Sequence, residues 1–196
     1  PELPIALEIA DRLRTVVDWF KIGKELFTSV GPSSVQSLKK IGKSVFLDLK
    51  FHDIPNTVSG AVASATKLGA DMINVHASGG LEMMQAASLS AVDQADKLNI
   101  AKPKLLAVTV LTSIDQFAFA RDLNSSRSLS AQVVYLAQLA QQAGLDGVVA
   151  SPLEIEKIRR ACGNDFWIVT PGIRPRQSVI SDQKRIMSPA EAIDAG

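Results

Sequence analysis

The run Asp48-Leu49-Lys50-Phe51-His52-Asp53 sets two carboxylates around one ammonium group. On an extended chain, side chains alternate between faces, so Asp48 and Lys50 share one. Carboxylates beside a lysine fix its position and favour its charged form, which suits it to deliver a proton to a carbanion. The pattern alone is a weak signal. With each charged type near ~6% of residues, Asp-x-Lys-x-x-Asp arises by chance in roughly 4 of 100 chains of this length. A surface salt bridge is the competing reading. It fits poorly, because Val45, Leu47 and Leu49 make the opposite face apolar and turn Asp48 and Lys50 toward an interior.

Other reactive residue types read as structural. His52 and His76 lack the clustered partners of a metal site, so a core or interface role is expected and no metal is assigned. Cys162 lies in a helix tail with nothing near it in sequence to lower its pKa. Met83 and Met84 read as helix packing. Ser151 reads as a helix cap, since no nucleophile–base pattern surrounds it.

Composition narrows the setting. With 196 residues and 46% hydrophobic content, the chain can bury one core, and residues 1–196 are expected to form a single domain. Against 20 Asp+Glu stand 21 Lys+Arg, a net charge of +1, so no one-sided field draws nucleic acid or an anionic membrane. A charged ligand must then be held locally. The single cysteine excludes an internal disulfide and a thiolate cluster, which points to a reducing, cytoplasmic compartment. No apolar run approaches the ~20 residues that span a bilayer, and the N-terminus shows no signal core.

The elements that must position the charged run alternate in type. Val16 to Ile22, Ser44 to Lys50, Met72 to His76, Lys104 to Leu111, Gly147 to Ala150 and Phe166 to Thr170 read as strands. Between them, Asn56 to Leu68 puts Val58, Val62, Ala65 and Leu68 on one helical face; Ala131 to Ala143 does so with Val133, Leu136, Ala137 and Ala140. Ser151-Pro152-Leu153-Glu154 and Ser188-Pro189-Ala190-Glu191 each offer a capping serine, a proline at the first helical position and a glutamate able to cap back. Long irregular stretches follow strands at Ser113 to Ser128 and Pro171 to Met187, where functional loops are expected.

Repeated strand–helix alternation implies a parallel sheet, either a β/α barrel or a doubly wound open sheet. Polar phase favours the barrel. Phe20 and Ile22 oppose Trp19 and Lys21; Ile73 and Val75 oppose Asn74 and His76; the polar sets converge at strand C-terminal ends, where a barrel keeps its chemistry. In an open sheet they would meet a helix layer and lose hydration. The expectation is an α/β fold, a (β/α)8 TIM barrel. Ile5 to Leu13 reads as a helix with no strand before it, and Pro189 to Ala195 as one with no strand after it. The first and last barrel strands are therefore expected to be missing from the chain, a window on a longer protein.

A family resemblance now becomes specific. Phe46-Leu47-Asp48-Leu49-Lys50-Phe51-His52-Asp53-Ile54-Pro55-Asn56-Thr57-Val58 resembles the signature of the orotidine 5'-phosphate decarboxylases. Further matches follow in family order. They are Trp19-Phe20-Lys21-Ile22-Gly23 with Glu25-Leu26-Phe27, Val75-His76-Ala77, Leu111-Thr112-Ser113, Gly144 to Val149, Thr170-Pro171-Gly172-Ile173-Arg174-Pro175 and Asp182-Gln183-Lys184-Arg185.

That resemblance implies conversion of orotidine 5'-phosphate to UMP and CO2 in pyrimidine biosynthesis, with no metal or organic cofactor. It implies Lys50 as proton donor to substrate C6 and Asp48 beside the departing carboxylate. Lys21 would hydrogen-bond the ribose and support the charged array, which Asp53 completes. Asp53 and Thr57 would enter the neighbouring subunit's site in a homodimer, although Thr57 reads equally well as a cap at a helix start. Thr112 matches the residue that contacts the pyrimidine. Arg174 and Gln183 match residues that grip the phosphate, for which a planar guanidinium fork and a neutral amide donor are suited.

Two other readings stay open. A metal-dependent sugar-phosphate decarboxylase or epimerase on the same scaffold shares Asp-x-Lys-x-x-Asp. An inactive phosphate-binding or dimerisation fragment would follow if the terminal strands, which in the family supply a substrate-binding aspartate and a phosphate-binding arginine, are absent.

Overall fold

Each of the six predicted strands forms, with helices between them. The computed structural model describes residues 2–174 and 185–196. In chain order the elements are α1 (Leu3–Leu13), β1 (Trp19–Gly23), α2 (Lys24–Val30), α3 (Ser33–Lys40), β2 (Ser44–Phe51), α4 (Pro55–Lys67), β3 (Met72–His76) and α5 (Gly80–Leu98). They continue with β4 (Lys104–Val108), α6 (Gln116–Asp122), α7 (Leu129–Gln142), β5 (Gly147–Val149), α8 (Ile155–Cys162), β6 (Trp167–Val169) and α9 (Pro189–Asp194). Sheet order is chain order, β1-β2-β3-β4-β5-β6, and the registers of β1 with β2, β2 with β3, β4 with β5 and β5 with β6 are all parallel. Parallel neighbours need crossover connections, which the intervening helices provide. None of the described helices is long and apolar enough to cross a membrane.

Several expected boundaries move for local reasons. The first strand starts at Trp19, not Val16, because the N–H groups of Val16 and Val17 both close onto the carbonyl of Leu13 and extend the turn that ends α1. The fourth ends at Val108 rather than Leu111 because its neighbour β5 ends at Val149, whose carbonyl takes the last rung of the ladder from Thr109 N–H and also accepts from the Thr109 hydroxyl. Within the stretch expected to be irregular, α6 forms because Asp115 caps the N–H of Ala118 at 2.8 Å and Phe119 is buried.

The two proline-containing helix starts differ. Ser188 and Glu191 form the reciprocal capping box. At Ser151 the hydroxyl accepts from Leu153 N–H at 3.2 Å and opens a 3-10 turn over Pro152–Glu154, but Glu154 does not cap back, because its carboxylate is committed to a buried ion pair with Arg185. Thr57 is not a cap either. Ile54 holds the cap position of α4, with no side-chain hydrogen bond there.

The chain falls into two compact units, Pro1–Val75 with Gln85–Leu105, and His76–Met84 with Leu106–Gly196. In the first, β1 shows the expected alternation, with Ile22 fully buried between exposed Lys21 and half-buried Gly23. Val45 and Leu47 of β2 pack in a core that also holds Val58, Val62 and Ala65 from the apolar stripe of α4. Asp71 fixes where β2 and β3 begin. Its carboxylate accepts from Val45 N–H at 2.7 Å and from the Lys39 ammonium at 2.7 and 2.8 Å, while its own N–H returns to the Val45 carbonyl at 2.9 Å.

The second unit is built on α7, whose Val133, Leu136, Ala137 and Ala140 are buried as the helical period requires. Here β5 and β6 approach closely. A Cβ on Gly147 would stand 2.2 Å from the Trp167 carbonyl oxygen, so only glycine fits that register.

Candidate active site

The charged cluster is assembled by β1, β2 and β3 of the first unit. The Lys50 ammonium donates to Asp48 Oδ1 at 2.6 Å, and the Lys21 ammonium lies 3.1 Å from Asp48 Oδ2. Parallel register places Gly23 opposite Asp48, two residues beyond Lys21, which lets the Lys21 side chain reach along the strand to the same carboxylate. The side chain of Asp48 is 11% exposed, that of Lys50 25% and that of Lys21 54%, so the cluster grades from interior to solvent. Lys21, Asp48 and Lys50 are thus brought together as expected, and two ammonium groups share one carboxylate.

How Lys50 arrives there is not simple alternation. Strands β2 and β3 pair at Leu47 with Ile73 and next at Phe51 with Val75, so Asp48, Leu49 and Lys50 bulge opposite the single residue Asn74. Inside that bulge Lys50 adopts φ +55°, a left-handed conformation uncommon for a residue with a side chain. The Asn74 carboxamide spans the gap. Its oxygen accepts from Lys50 N–H at 2.8 Å and its nitrogen donates to Asp48 Oδ1 at 2.6 Å.

Electrostatics favour the ionised carboxylate. Burial acts to raise the Asp48 carboxyl, but hydrogen bonds from Lys50 and Asn74, with the charges of Lys50 and Lys21, together outweigh it and hold the group below its ordinary value. An anionic Asp48 between two cations leaves the cluster one positive charge in excess. Such a site accommodates one further anion, or charge that develops on a bound molecule.

The other expected residues lie elsewhere in this chain. Asp53 is exposed, and its carboxylate accepts from Ile54 N–H at 2.7 Å instead of flanking Lys50; within the chain the ammonium has Asp48 alone of the two carboxylates expected around it. Thr57 is exposed in the first turn of α4. In the second unit, Thr112 is buried in the turn beyond β4. Arg174 is half-buried, donates to the neighbouring Ile173 carbonyl at 3.0 Å, and follows the bridge between Ile173 and Met187. Gln183 lies outside the described residues. No group of three or more His, Cys, Asp or Glu side chains among the described residues could hold a metal ion.

Two features were not expected from the sequence as functional. Asn74 was placed on the polar phase of its strand without a partner; the available signal was a lone carboxamide in an otherwise apolar run. The Glu154–Arg185 pair is the other, with Glu154 Oε1 2.8 Å from Arg185 Nη1 and Nη2 donating to the Val110 carbonyl at 3.2 Å. Both side chains are nearly fully buried, and Glu154 Oε2 and Arg185 Nε have no hydrogen-bond partner among the described residues. Burial pushes the Glu154 carboxyl up against the opposing pull of the Arg185 charge. The pair ties the residue after the 175–184 segment to the turn that carries Thr112.

The sequence profile of the Orotidine 5'-phosphate decarboxylase / HUMPS family matches residues 1–196. An orotidine 5'-phosphate decarboxylase of Moorella thermoacetica is 50% identical over 196 residues, covering 100% of this chain and 78% of that protein. One of Trichlorobacter lovleyi is 54% identical over 187 residues, covering 95% of this chain and 76% of that protein. The crystal structure of orotidine 5'-phosphate decarboxylase from Lactobacillus acidophilus matches with a TM-score of 0.82 at 36% identity, over 97% of this chain and 81% of that one. This likeness and the parallel β/α order agree with the expected barrel class. The chain belongs to the Orotidine 5'-phosphate decarboxylase / HUMPS family.

Proposed function

We propose that this protein decarboxylates orotidine 5'-phosphate to UMP and CO2, a step of pyrimidine biosynthesis, without metal or organic cofactor. The observation that carries the reading is the convergence of Lys21, Asp48 and Lys50 at the end of β2 in a chain of this family. The substrate carboxylate sits against Asp48, a neighbour it meets unfavourably. Breaking the bond from C6 to the carboxyl carbon releases CO2 and leaves the electron pair on C6. The Lys50 ammonium donates a proton to form the new C6–H bond, and the resulting amine regains a proton from water. Two cations beside one carboxylate interact more favourably with the carbanion-like state than with the bound carboxylate, which is what lowers the barrier.

Remote groups hold the substrate for that event. Lys21 hydrogen-bonds the ribose, Thr112 contacts the pyrimidine, and Arg174 and Gln183 bind the phosphate. Phosphate binding energy is then available to orient the base. The active form is a homodimer in which Asp53 and Thr57 complete the partner's site. Supporting this, neither side chain serves the charged cluster of its own chain, the local cluster has a positive charge in excess, and the apolar Ile54 between them is 67% exposed. Residues 1–196 act as one β/α-barrel domain, and the near-neutral charge with a single cysteine supports a cytoplasmic setting without nucleic-acid or membrane partners.

Loss of orotidine 5'-phosphate, followed by absorbance at about 285 nm with EDTA present, is the test of metal independence. Turnover is expected to be unchanged by the chelator. Activity that EDTA abolishes, on this substrate or on a sugar phosphate, would favour a metal-dependent enzyme on the same scaffold; no binding of UMP would favour an inactive fragment. For the assembly, sedimentation is expected to show a two-chain species at assay concentration. A monomer turning over at full rate would exclude the shared site.

A further inference from the structure

The structure assigns to Asn74 the role of a positioning residue that holds Lys50 and Asp48 in register for proton delivery. This rests on the proposed roles of those two residues. Three observations converge. Asn74 is fully buried and stands alone on β3 opposite the three-residue bulge of β2. Its oxygen takes the Lys50 N–H, at the residue whose φ of +55° departs from the strand. Its nitrogen meets Asp48 Oδ1, the same oxygen that receives the Lys50 ammonium.

The carboxamide is the side chain this geometry needs. A peptide N–H can only donate and an ionised carboxylate can only accept, so the residue between them must present one acceptor and one donor on the same small planar group. Aspartate offers acceptors alone and would set a second carboxylate against Asp48. Leucine would leave the Lys50 N–H without its partner and free the bulge to relax toward ordinary strand geometry. Either change displaces the ammonium from where C6 must lie, and a displacement near 1 Å can cost about 100-fold in rate.

Asn74→Ala and Asn74→Asp are compared with the parent and with Lys50→Ala, measuring kcat, KM and UMP affinity, with circular dichroism to confirm folding. For Asn74→Ala, kcat is expected to fall roughly 100-fold, with UMP affinity within about 3-fold of the parent, because the phosphate and ribose contacts are made by other residues. Asn74→Asp has a second signature. Its introduced carboxyl faces Asp48, Lys50 and, through Asp48, Lys21; protonating it restores one donor and one acceptor. Its kcat relative to the parent should therefore rise as pH falls. A folded Asn74→Ala with parental kcat, or an Asn74→Asp profile parallel to the parent's, overturns the assignment while Lys50→Ala stays inactive. Full activity in Lys50→Ala would instead overturn the reading on which it rests.

Discussion

Lys50→Ala is expected to lower the rate of orotidine 5'-phosphate decarboxylation by at least about 10⁴-fold, roughly 5.5 kcal/mol of lost barrier reduction. Two effects disappear together. The proton donor to C6 is gone, and so is the nearest positive charge to the electron pair that CO2 leaves behind. The fold should survive, because Asp48 keeps the Lys21 ammonium at 3.1 Å and the Asn74 amide at 2.6 Å, so no buried charge is left without a partner. Stopped-flow absorbance for the rate and calorimetry for UMP binding separate the two consequences. Near-parental turnover would remove Lys50 from the chemistry.

Asp48→Asn should be almost as damaging, with kcat reduced about 10³-fold, since the amide neither repels the substrate carboxylate nor neutralises either lysine. It also changes the acid limb of stability. The Asp48 carboxyl lies lower in the folded protein than in the unfolded chain, because the lysines and Asn74 outweigh the upward effect of burial. Its stabilising contribution is therefore complete above about pH 4, the ordinary carboxylate range, and is lost as pH falls through the folded value. Thermal unfolding measured from neutral pH down to about pH 3 should show a shallower loss of Tm in Asp48→Asn than in the parent. Parallel curves would mean that Asp48 is not held in its ionised form by the cluster.

Much of this was legible in the residues, and what was not has particular causes. Period-two alternation in β1 and period-3.6 stripes in α4 and α7 depend only on which face meets the core, so Ile22, Val62 and Ala137 were placed correctly. Strand ends were not, because they depend on where the neighbouring strand stops, as β4 stops at Val108 opposite Val149, the last residue of β5. Helix α6 escaped notice because seven residues are too few to show a period, and only the Asp115 cap marked its start. Glu154 carries the sequence of a capping box, but its ion pair with Arg185 competes for the same carboxylate across 31 positions, a distance at which local pattern says nothing.

The site divides in the same way. Asp48 and Lys50 could be paired from their spacing, although the bulge and left-handed turn that bring them together are invisible until β3 supplies Asn74. Asp53 looked equivalent to Asp48 in the sequence. Its carboxylate turns instead to Ile54 N–H, because the chain leaves the strand at His52 before the next residue can point inward. Family resemblance was needed to give Thr112, Arg174 and Gln183 any role, since none belongs to a pattern that propensity or periodicity can recognise.

The central claim, that an ammonium at position 50 delivers the proton to C6, can be tested by removing that group and then restoring it. Lys50→Cys is inactivated, then treated under native conditions with 2-bromoethylamine, which turns the introduced thiol into a thioether bearing an amine at nearly the lysine length. Cys162 is the only other thiol and is buried, and the parent carried through the same treatment controls for it. Decarboxylation is expected to recover by at least about 100-fold on alkylation. A modified protein that still binds UMP yet stays as inactive as the untreated variant would contradict the claim.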